Sequence, residues 1–393
     1  MEMTQREKEL YEIIREDPMI SQNEIAAKMN VTRSAVSVFL NSMTKKGILA
    51  GRGYILNEPT YPVVIGPGHV DIRNVSQEGG RASTSFFQAV KSRLNYGGAA
   101  KNTCDFLVNF SIQPRAIFIV GNDDLGHSFL DACRRAGLPA ETSILLPDSS
   151  TAIYIELIDQ DHSFVMSSFA ADGGEKAVAN IAPAHLLPHR SLFYSANMIL
   201  LHDSLPVDII RYLRTTYPDK PLFLIGSMSN YTMAQEEVLS AFYGSIMSLS
   251  IAASAAWQKP VEEVVDPSVL PDVCTILARK GMRNFFIMAD SYTLAYCNGE
   301  EIIIHTSDNP VPAVEGNFSH YYSDCRDIAS ATICYGGINH IPPLQILDYL
   351  AAARNLSQSP EFYFVRTPSI SALNEVSEML HPQVKVIPLR KVL

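Results

Sequence analysis

Three short stretches set oxygen-bearing side chains beside glycines. Gly66-Pro67-Gly68-His69-Val70-Asp71-Ile72 follows the apolar run Val63-Val64-Ile65, Gly97-Gly98-Ala99-Ala100-Lys101-Asn102 opens an alanine-rich segment, and Val120-Gly121-Asn122-Asp123-Asp124-Leu125-Gly126 ends another apolar run. A carboxylate such as Asp71 and a carboxamide such as Asn102 can hold vicinal hydroxyls bidentately, and the pair Gly97 and Gly98 lets backbone and ligand approach closely. That chemistry is polyol recognition. The competing reading makes Asp71, Gly97 and Asn102 turn and cap residues. A second chemistry lies near the N-terminus. After Thr32, Val36, Phe39, Leu40 and Met43 recur at helical spacing, which leaves Arg33, Ser34, Ser37 and Asn41 facing outward. Short polar and basic side chains at the start of such a helix reach base edges and phosphates in a DNA major groove, with Lys45, Lys46 and Arg52 as further phosphate contacts. The alternative is a small protein-docking or dimerisation module.

These groups need elements to position them. Leu10, Ile13 and Ile14 predict a helix over residues 4–16 that Pro18 stops. Ser21 three residues before Glu24 is a capping-box signature, and Ile25, Ala26 and Met29 follow on one face until Asn30. With the stretch after Thr32 this makes three helices, and residues 47–49 and 53–56 read as two short strands around a turn. The reading head spans residues 1–58, and Pro59 and Pro62 mark its boundary with a second domain over residues 62–393. There the apolar runs 116–120, 198–201, 222–225 and 285–288 alternate with amphipathic helical stretches. The pattern predicts an α/β fold, a doubly wound sheet buried on both faces. Residues 151–157 and 163–168 read as a hairpin that belongs to a small β lid rather than to that sheet. Tyr335-Gly336-Gly337-Ile338-Asn339 reads as a helix end with a glycine stop.

Composition narrows the classes. No apolar run approaches the roughly 18–20 residues of a membrane-spanning helix, and the charged start of the chain lacks a secretory pattern. A cytoplasmic protein is expected. Six cysteines without CxxC spacing predict reduced, mostly buried thiols. His69, His127, His162 and His202 are too scattered to form a metal set, and no metal site is expected. The net charge of −10 argues against a surface that coats nucleic acid. Residues 1–61 hold eight basic and eight acidic side chains, so affinity for a DNA operator rests on a local stripe and on pairing of two chains.

The wording Ser21-x-x-Glu24-Ile25-Ala26 through Val31-Thr32-Arg33-Ser34-Ala35-Val36-Ser37 resembles bacterial winged helix-turn-helix regulators. The second domain is similar to PfkB/ribokinase carbohydrate kinases at the three glycine-bearing stretches. In that family the first aspartate, here Asp71, binds sugar hydroxyls, and the glycine pair and asparagine, here Gly97, Gly98 and Asn102, approach the same sugar. The spacing over residues 92–102 is similar to the pseudouridine-kinase branch, which carries an N-terminal winged helix too. The resemblance implies a ribokinase-like doubly wound sheet with a small β lid, a nucleoside or sugar ligand, and a homodimer formed through the lid.

The resemblance weakens on the phosphate-donor side. The family's T-G-A-G-D turn opens a helix whose amides form an anion hole, with the aspartate as general base. Here Ser323-Asp324-Cys325-Arg326-Asp327 stands in its place, which keeps the candidate base Asp327 and lacks both glycines. Side chains at the anion-hole positions Asp324, Cys325 and Arg326 crowd the approach of a phosphate to the backbone. Losing one such donor lowers rate by a factor of about 100 to 1000. The family's N-x-x-E element falls on Ile251-Ala252-Ala253-Ser254, and its T-L-G-x-x-G turn on Ile287-Met288-Ala289-Asp290-Ser291-Tyr292. Retained acceptor groups with lost donor groups imply a ligand-responsive regulator on a largely non-catalytic kinase domain. The alternatives are an active nucleoside or carbohydrate kinase using Mg-ATP, with Arg326 holding the phosphate, and an interaction protein whose pocket has decayed.

Overall fold

The computed structural model describes residues 3–17, 20–49, 60–76, 89–158, 164–170, 178–226, 236–261, 265–290, 292–307, 321–357 and 368–389. The chain divides into two compact units, Met1–Thr60 and Tyr61–Leu393.

In the first unit, helices Gln5–Glu16, Gln22–Met29 and Arg33–Lys45 each start at a side-chain cap. Thr4 and Ser21 form reciprocal capping boxes with Glu7 and Glu24, and Thr32 accepts from the Ala35 amide. Asn30 ends the second helix in the left-handed region, at φ 51°. Leu10, Ile14, Ile25, Met29, Val36, Leu40 and Met43 close a core between the three helices. Glu7 lies inside it at 2% exposure and receives Lys46 Nζ at 2.6 Å and Ser42 Oγ at 2.7 Å. The Lys46 ammonium beside it and the Thr4 amide hold its carboxyl down at about 2. Most of the expected two-stranded wing falls on residues 50–59, outside the described residues.

The second unit has, among the described residues, strands β1 (Tyr61–Pro67), β2 (His69–Ser76), β3 (Ala89–Gly97), β4 (Arg115–Gly121), β5 (Ile144–Leu146), β6 (Ala152–Ile158), β7 (Phe164–Ala170), β8 (Ala196–His202), β9 (Leu222–Ile225), β10 (Gly244–Ser248), β11 (Phe285–Met288), β12 (Thr293–Cys297), β13 (Glu301–Thr306) and β14 (Gln383–Pro388). Ten of them form one sheet in the order β14-β13-β12-β11-β10-β9-β8-β1-β4-β5. From β5 to β11 neighbours are parallel, and β12, β13 and β14 add on antiparallel. The continuously apolar runs are explained by two cores. Val63, Ile65, Ile199, Leu201, Leu222 and Leu224 point to one, and Val64, Met198, Leu200, Phe223 and Ile225 to the other.

The expected hairpin is β6 and β7. With β2 and β3 it makes a separate four-stranded sheet in the order β3-β2-β6-β7. Asp123 ties this sheet to the large one: its carboxylate accepts from the Thr151 amide and hydroxyl at 2.7 and 2.6 Å and from the Gly126 amide at 2.8 Å. Burial alone would raise its pKa, yet these bonds hold it below the usual carboxylate range. Thr151 directly precedes β6, so one side chain fixes where the lid strand starts.

The expected glycine stop after Tyr335 is corrected. The helix Tyr321–Ile338 runs through Gly336 and Gly337, and the left-handed residue is His340, at φ 54°. A Cβ on Gly336 would lie 2.7 Å from Ile346 Cγ1, so this glycine serves close helix packing. The five described cysteines are buried and free.

Glu7 generates a prediction. Its carboxyl titrates at about 2 when folded and near 4.5 otherwise, so the unfolded chain binds more protons between those values and stability is lost as pH falls through them. The first unit should lose on the order of 2–3 kcal/mol between pH 6 and pH 2. Glu7→Gln should remove that pH dependence in thermal unfolding of the full chain followed by helical circular dichroism.

Candidate functional site

The chain order of the parallel strands reverses at β1, running out to β4 and β5 and then returning to β8 on the other flank. Open α/β sheets bind ligands beyond the carboxyl ends of strands at such a reversal. Here those ends carry Gly66-Pro67-Gly68 and His202-Asp203. A Cβ on Gly66 would lie 2.7 Å from His202 Cβ and 2.9 Å from Ala100 Cβ.

β2 leaves from this point and carries Asp71 into the lid sheet. His69 Nε2 donates to Asp71 Oδ1 at 2.9 Å. Gly97, the last residue of β3, lies against the other oxygen, and a side chain there would overlap Asp71 Oδ2. Gly98 adopts φ 110° as the N-cap of helix Ala99–Asn109, and a Cβ on it would lie 2.7 Å from the Pro67 carbonyl oxygen. One turn along that helix, Asn102 Nδ2 donates to Asp327 Oδ2 at 2.9 Å. Asp327 is buried, at 6% exposure. Asp71, Gly97, Gly98, Asn102 and Asp327 thus come to one end of the sheet from β2, β3 and two helices.

His69 and His202 are polar residues at this end of the sheet. The first holds the Asp71 carboxylate, and the second, its Nδ1 2.7 Å from Ser204 Oγ, lies beside Gly66 at the strand reversal. The signal for His69 was its spacing: two residues apart on a strand, His69 and Asp71 share a face.

The phosphate-donor side is built differently from a turn that opens a helix. Residues 323–327 lie inside helix Tyr321–Ile338. An α-helix commits the N–H of residue i to the carbonyl of residue i−4, so the amides of Cys325, Arg326 and Asp327 are spent within the helix. The crowding expected from the Asp324 and Cys325 side chains lies outside the described part of the structure. At the position of N-x-x-E, helix Leu249–Trp257 buries Ala252 and Ala253, and Ser254 Oγ accepts from the Val261 amide at 3.0 Å. At the position of the glycine turn, Asp290 Oδ1 accepts from the Tyr292 and Thr293 amides, both at 2.7 Å. These polar groups close their own turns, and they do not fit a Mg-ATP cradle.

In the first unit, Arg33, Ser34, Asn41 and Lys45 are exposed and Ser37 is half-buried, all on helix Arg33–Lys45. Lys46 departs from expectation as a phosphate contact, because its ammonium is taken up by Glu7. Arg52 lies outside the described residues.

This arrangement defines a ribokinase-like α/β domain joined to a helical DNA-binding type of unit. Residues 68–238 match the pfkB family of carbohydrate kinases, and residues 3–50 match the winged helix-turn-helix DNA-binding family. The chain therefore carries a pfkB family carbohydrate kinase domain behind an N-terminal winged helix-turn-helix domain. It is 24% identical over 321 residues to the uncharacterized sugar kinase YeiI of Escherichia coli (strain K12), covering 80% of this chain and 86% of that one. Among solved structures, a sugar kinase from Clostridium perfringens superposes with TM-score 0.66 at 18% identity, covering 84% of this chain and 99% of its own. A ribokinase of Arabidopsis thaliana, solved with ribose and ATP, superposes with TM-score 0.62 at 14% identity, covering 81% and 99%. These likenesses establish the fold.

Gly97→Ala tests the acceptor site. The added methyl displaces Asp71 from its seat, so affinity for a sugar or nucleoside ligand should fall at least about tenfold, the loss of a charged hydrogen bond. The melting temperature should change little. Calorimetric titration beside thermal unfolding measures both.

Proposed function

We propose that this protein is a ligand-responsive transcriptional regulator, in which a largely non-catalytic pfkB-type domain binds a sugar or nucleoside and the winged helix binds an operator. The observation that carries this reading is the position of residues 325–327 inside a helix. Amides already bonded to carbonyls have no hydrogens to offer a transferring phosphate, and charge stabilisation is most of what a kinase supplies. The acceptor side is intact by comparison, with Asp71 held by His69 and Asn102 held by Asp327. Ligand that bridges the lid strand β2 and helix Ala99–Asn109 favours the closed lid, and a homodimer converts that preference into the spacing of two reading heads. Arg33, Ser34, Ser37 and Asn41 contact bases and phosphates, and Lys45 adds a phosphate contact. The protein acts in the cytoplasm, on DNA.

One observation favours a second reading, an active nucleoside or carbohydrate kinase of the pseudouridine-kinase type. Asp327 survives and touches Asn102, the position a general base needs beside the acceptor hydroxyl. Mg-ATP would then be the donor, with Arg326 holding its phosphate.

Incubation with Mg-ATP and a panel of nucleosides and sugars separates the two. The regulator reading expects no phosphorylated product from folded protein. Product that disappears in Asp327→Asn would establish the kinase instead. In a parallel gel-shift series, Arg33→Ala should weaken operator binding and lower the slope of log affinity against log salt by about one. An unchanged slope would remove Arg33 from the DNA contact.

A further inference from the structure

We propose that Val38, on the outer face of helix Arg33–Lys45, reads the C5-methyl group of a thymine in the major groove of the operator, with Asn41 on an adenine in a neighbouring base pair. The inference rests on the reading of the first unit as an operator-binding unit and adds to it a base that this unit selects.

The argument begins with an aliphatic side chain on the wet side of its helix. Val38 is 65% exposed, although Val36, Leu40 and Met43 of the same helix are buried in a core. Ser34, Val38, Asn41 and Lys45 succeed one another at intervals of four, three and four residues, the spacing of side chains stacked along one helix face. Val38 therefore stands within the polar stripe, one turn after Ser34 and one turn before Asn41. Helix Arg33–Lys45 begins and ends with a basic residue and has no acidic one, whereas helix Gln5–Glu16 carries Glu7, Glu9, Glu12 and Glu16. An outward face that is basic at both ends and lacks carboxylates suits a polyanion. The apolar residue between those ends then meets what lies between the phosphates.

Chemistry selects the occupant. An isopropyl group neither donates nor accepts a hydrogen bond. Among the groups that bases present in the major groove, the thymine methyl is the apolar one. Any other base edge against Val38 gives up water from a donor or acceptor and gains no partner, which weakens binding. Asn41 extends the pattern, because a carboxamide matches N6 and N7 of adenine bidentately. Val38 and Asn41 lie three residues apart, about 4.5 Å along the helix axis, close to the roughly 3.4 Å between successive base pairs. A helix lying along the groove sets them over neighbouring base pairs. Ser34 and Ser37 bond to donors and acceptors alike and discriminate less.

The full chain selects its own probe: enrichment from a pool of random-sequence DNA duplexes yields a tightly bound duplex. That duplex, synthesised with thymine or with deoxyuridine at every thymine position, is titrated by fluorescence anisotropy. Deoxyuridine keeps the base pair and lacks only the C5-methyl. Wild type should bind the deoxyuridine duplex about fourfold more weakly for each methyl in contact, the worth of one buried carbon. Val38→Ser should bind both duplexes alike, and Val38→Ile should keep the preference. Because Val38 is exposed, neither substitution should move the melting temperature much. Equal binding of the two duplexes by wild type overturns the thymine contact and leaves DNA binding standing. A preference that survives in Val38→Ser overturns it too, since another group then reads the methyl. Binding of no duplex by folded protein overturns the operator-binding reading and the thymine contact together.

Discussion

The acceptor site depends on how closely three pieces of backbone meet where the strand order reverses. β1 ends at Gly66, against His202 at the end of β8 and Ala100 at the start of the helix that carries Asn102. A side chain at Gly66 would push β8 or that helix outward, and β2 continues directly from β1 into the lid with Asp71 on it. The position of Asp71 relative to Asn102 is therefore tied to the close seating of the bare Gly66 backbone against the Cβ atoms of His202 and Ala100. Packing contacts of this kind are stiff, because protein interiors have few voids to absorb a shift. The hydrogen bonds from His69 to Asp71 and from Asn102 to Asp327 refine a geometry that the packing has already imposed.

The two halves of the cleft differ in where their polar groups are used. At the end of the sheet near β2, the carboxylates of Asp71 and Asp327 are held by the side chains of His69 and Asn102. On the donor side, the same chemical types are consumed locally: Ser254 by the Val261 amide, Asp290 by the turn between β11 and β12, the amides after Asp324 by their own helix. A buried polar group satisfied inside the protein gains little by exchanging that partner for a ligand, since the abandoned partner bears the desolvation penalty. Polar groups bonded in this way stabilise the fold without any ligand, which is what the non-catalytic reading requires of them.

Much of this was legible in the sequence because the signals were periodic or paired. The capping box at Ser21–Glu24 and the apolar stripe of Val36, Leu40 and Met43 mark the first unit, whereas the second box, at Thr4–Glu7, was seen only in the structure. The runs buried on both faces mark the parallel strands, and the hairpin of β6 and β7 was readable from its polar turn. What could not be read is tertiary. β2 and β3 are lid strands exposed on part of their surface, so their composition lacks the continuous apolar character of the central strands, and only the completed sheet reveals them. Lys46 looks like a phosphate ligand until the core places Glu7 beside it. The start of helix Tyr321–Ile338 ahead of the expected anion-hole turn follows from the missing glycines: without residues that tolerate unusual backbone, Ser323 to Asp327 adopt the helix that the following segment already favours.

Two of the junctions between the lid and the large sheet differ in how they are bonded, and this bears on how a ligand is sensed in the proposed regulator. β6 is pinned at its start through Thr151, whose amide and hydroxyl donate to Asp123 and whose hydroxyl accepts from the Gly121 amide, three hydrogen bonds that order the end of β4 and the first of the lid hairpin together. β2 is joined to β1 only through Gly68, a single-residue link. A ligand that engages Asp71 acts on β2, the lid strand held by the shorter and less bonded connection, and β2 carries β6 with it because the two pair over seven positions. Binding free energy reaches the rest of the molecule only to the extent that the closed arrangement holds the ligand better than the open one. On the ligand-responsive reading, Asp71 on the lid sheet and Asn102 on helix Ala99–Asn109 are the pair that would make that difference, since a ligand held by both is held only while the two elements stay together.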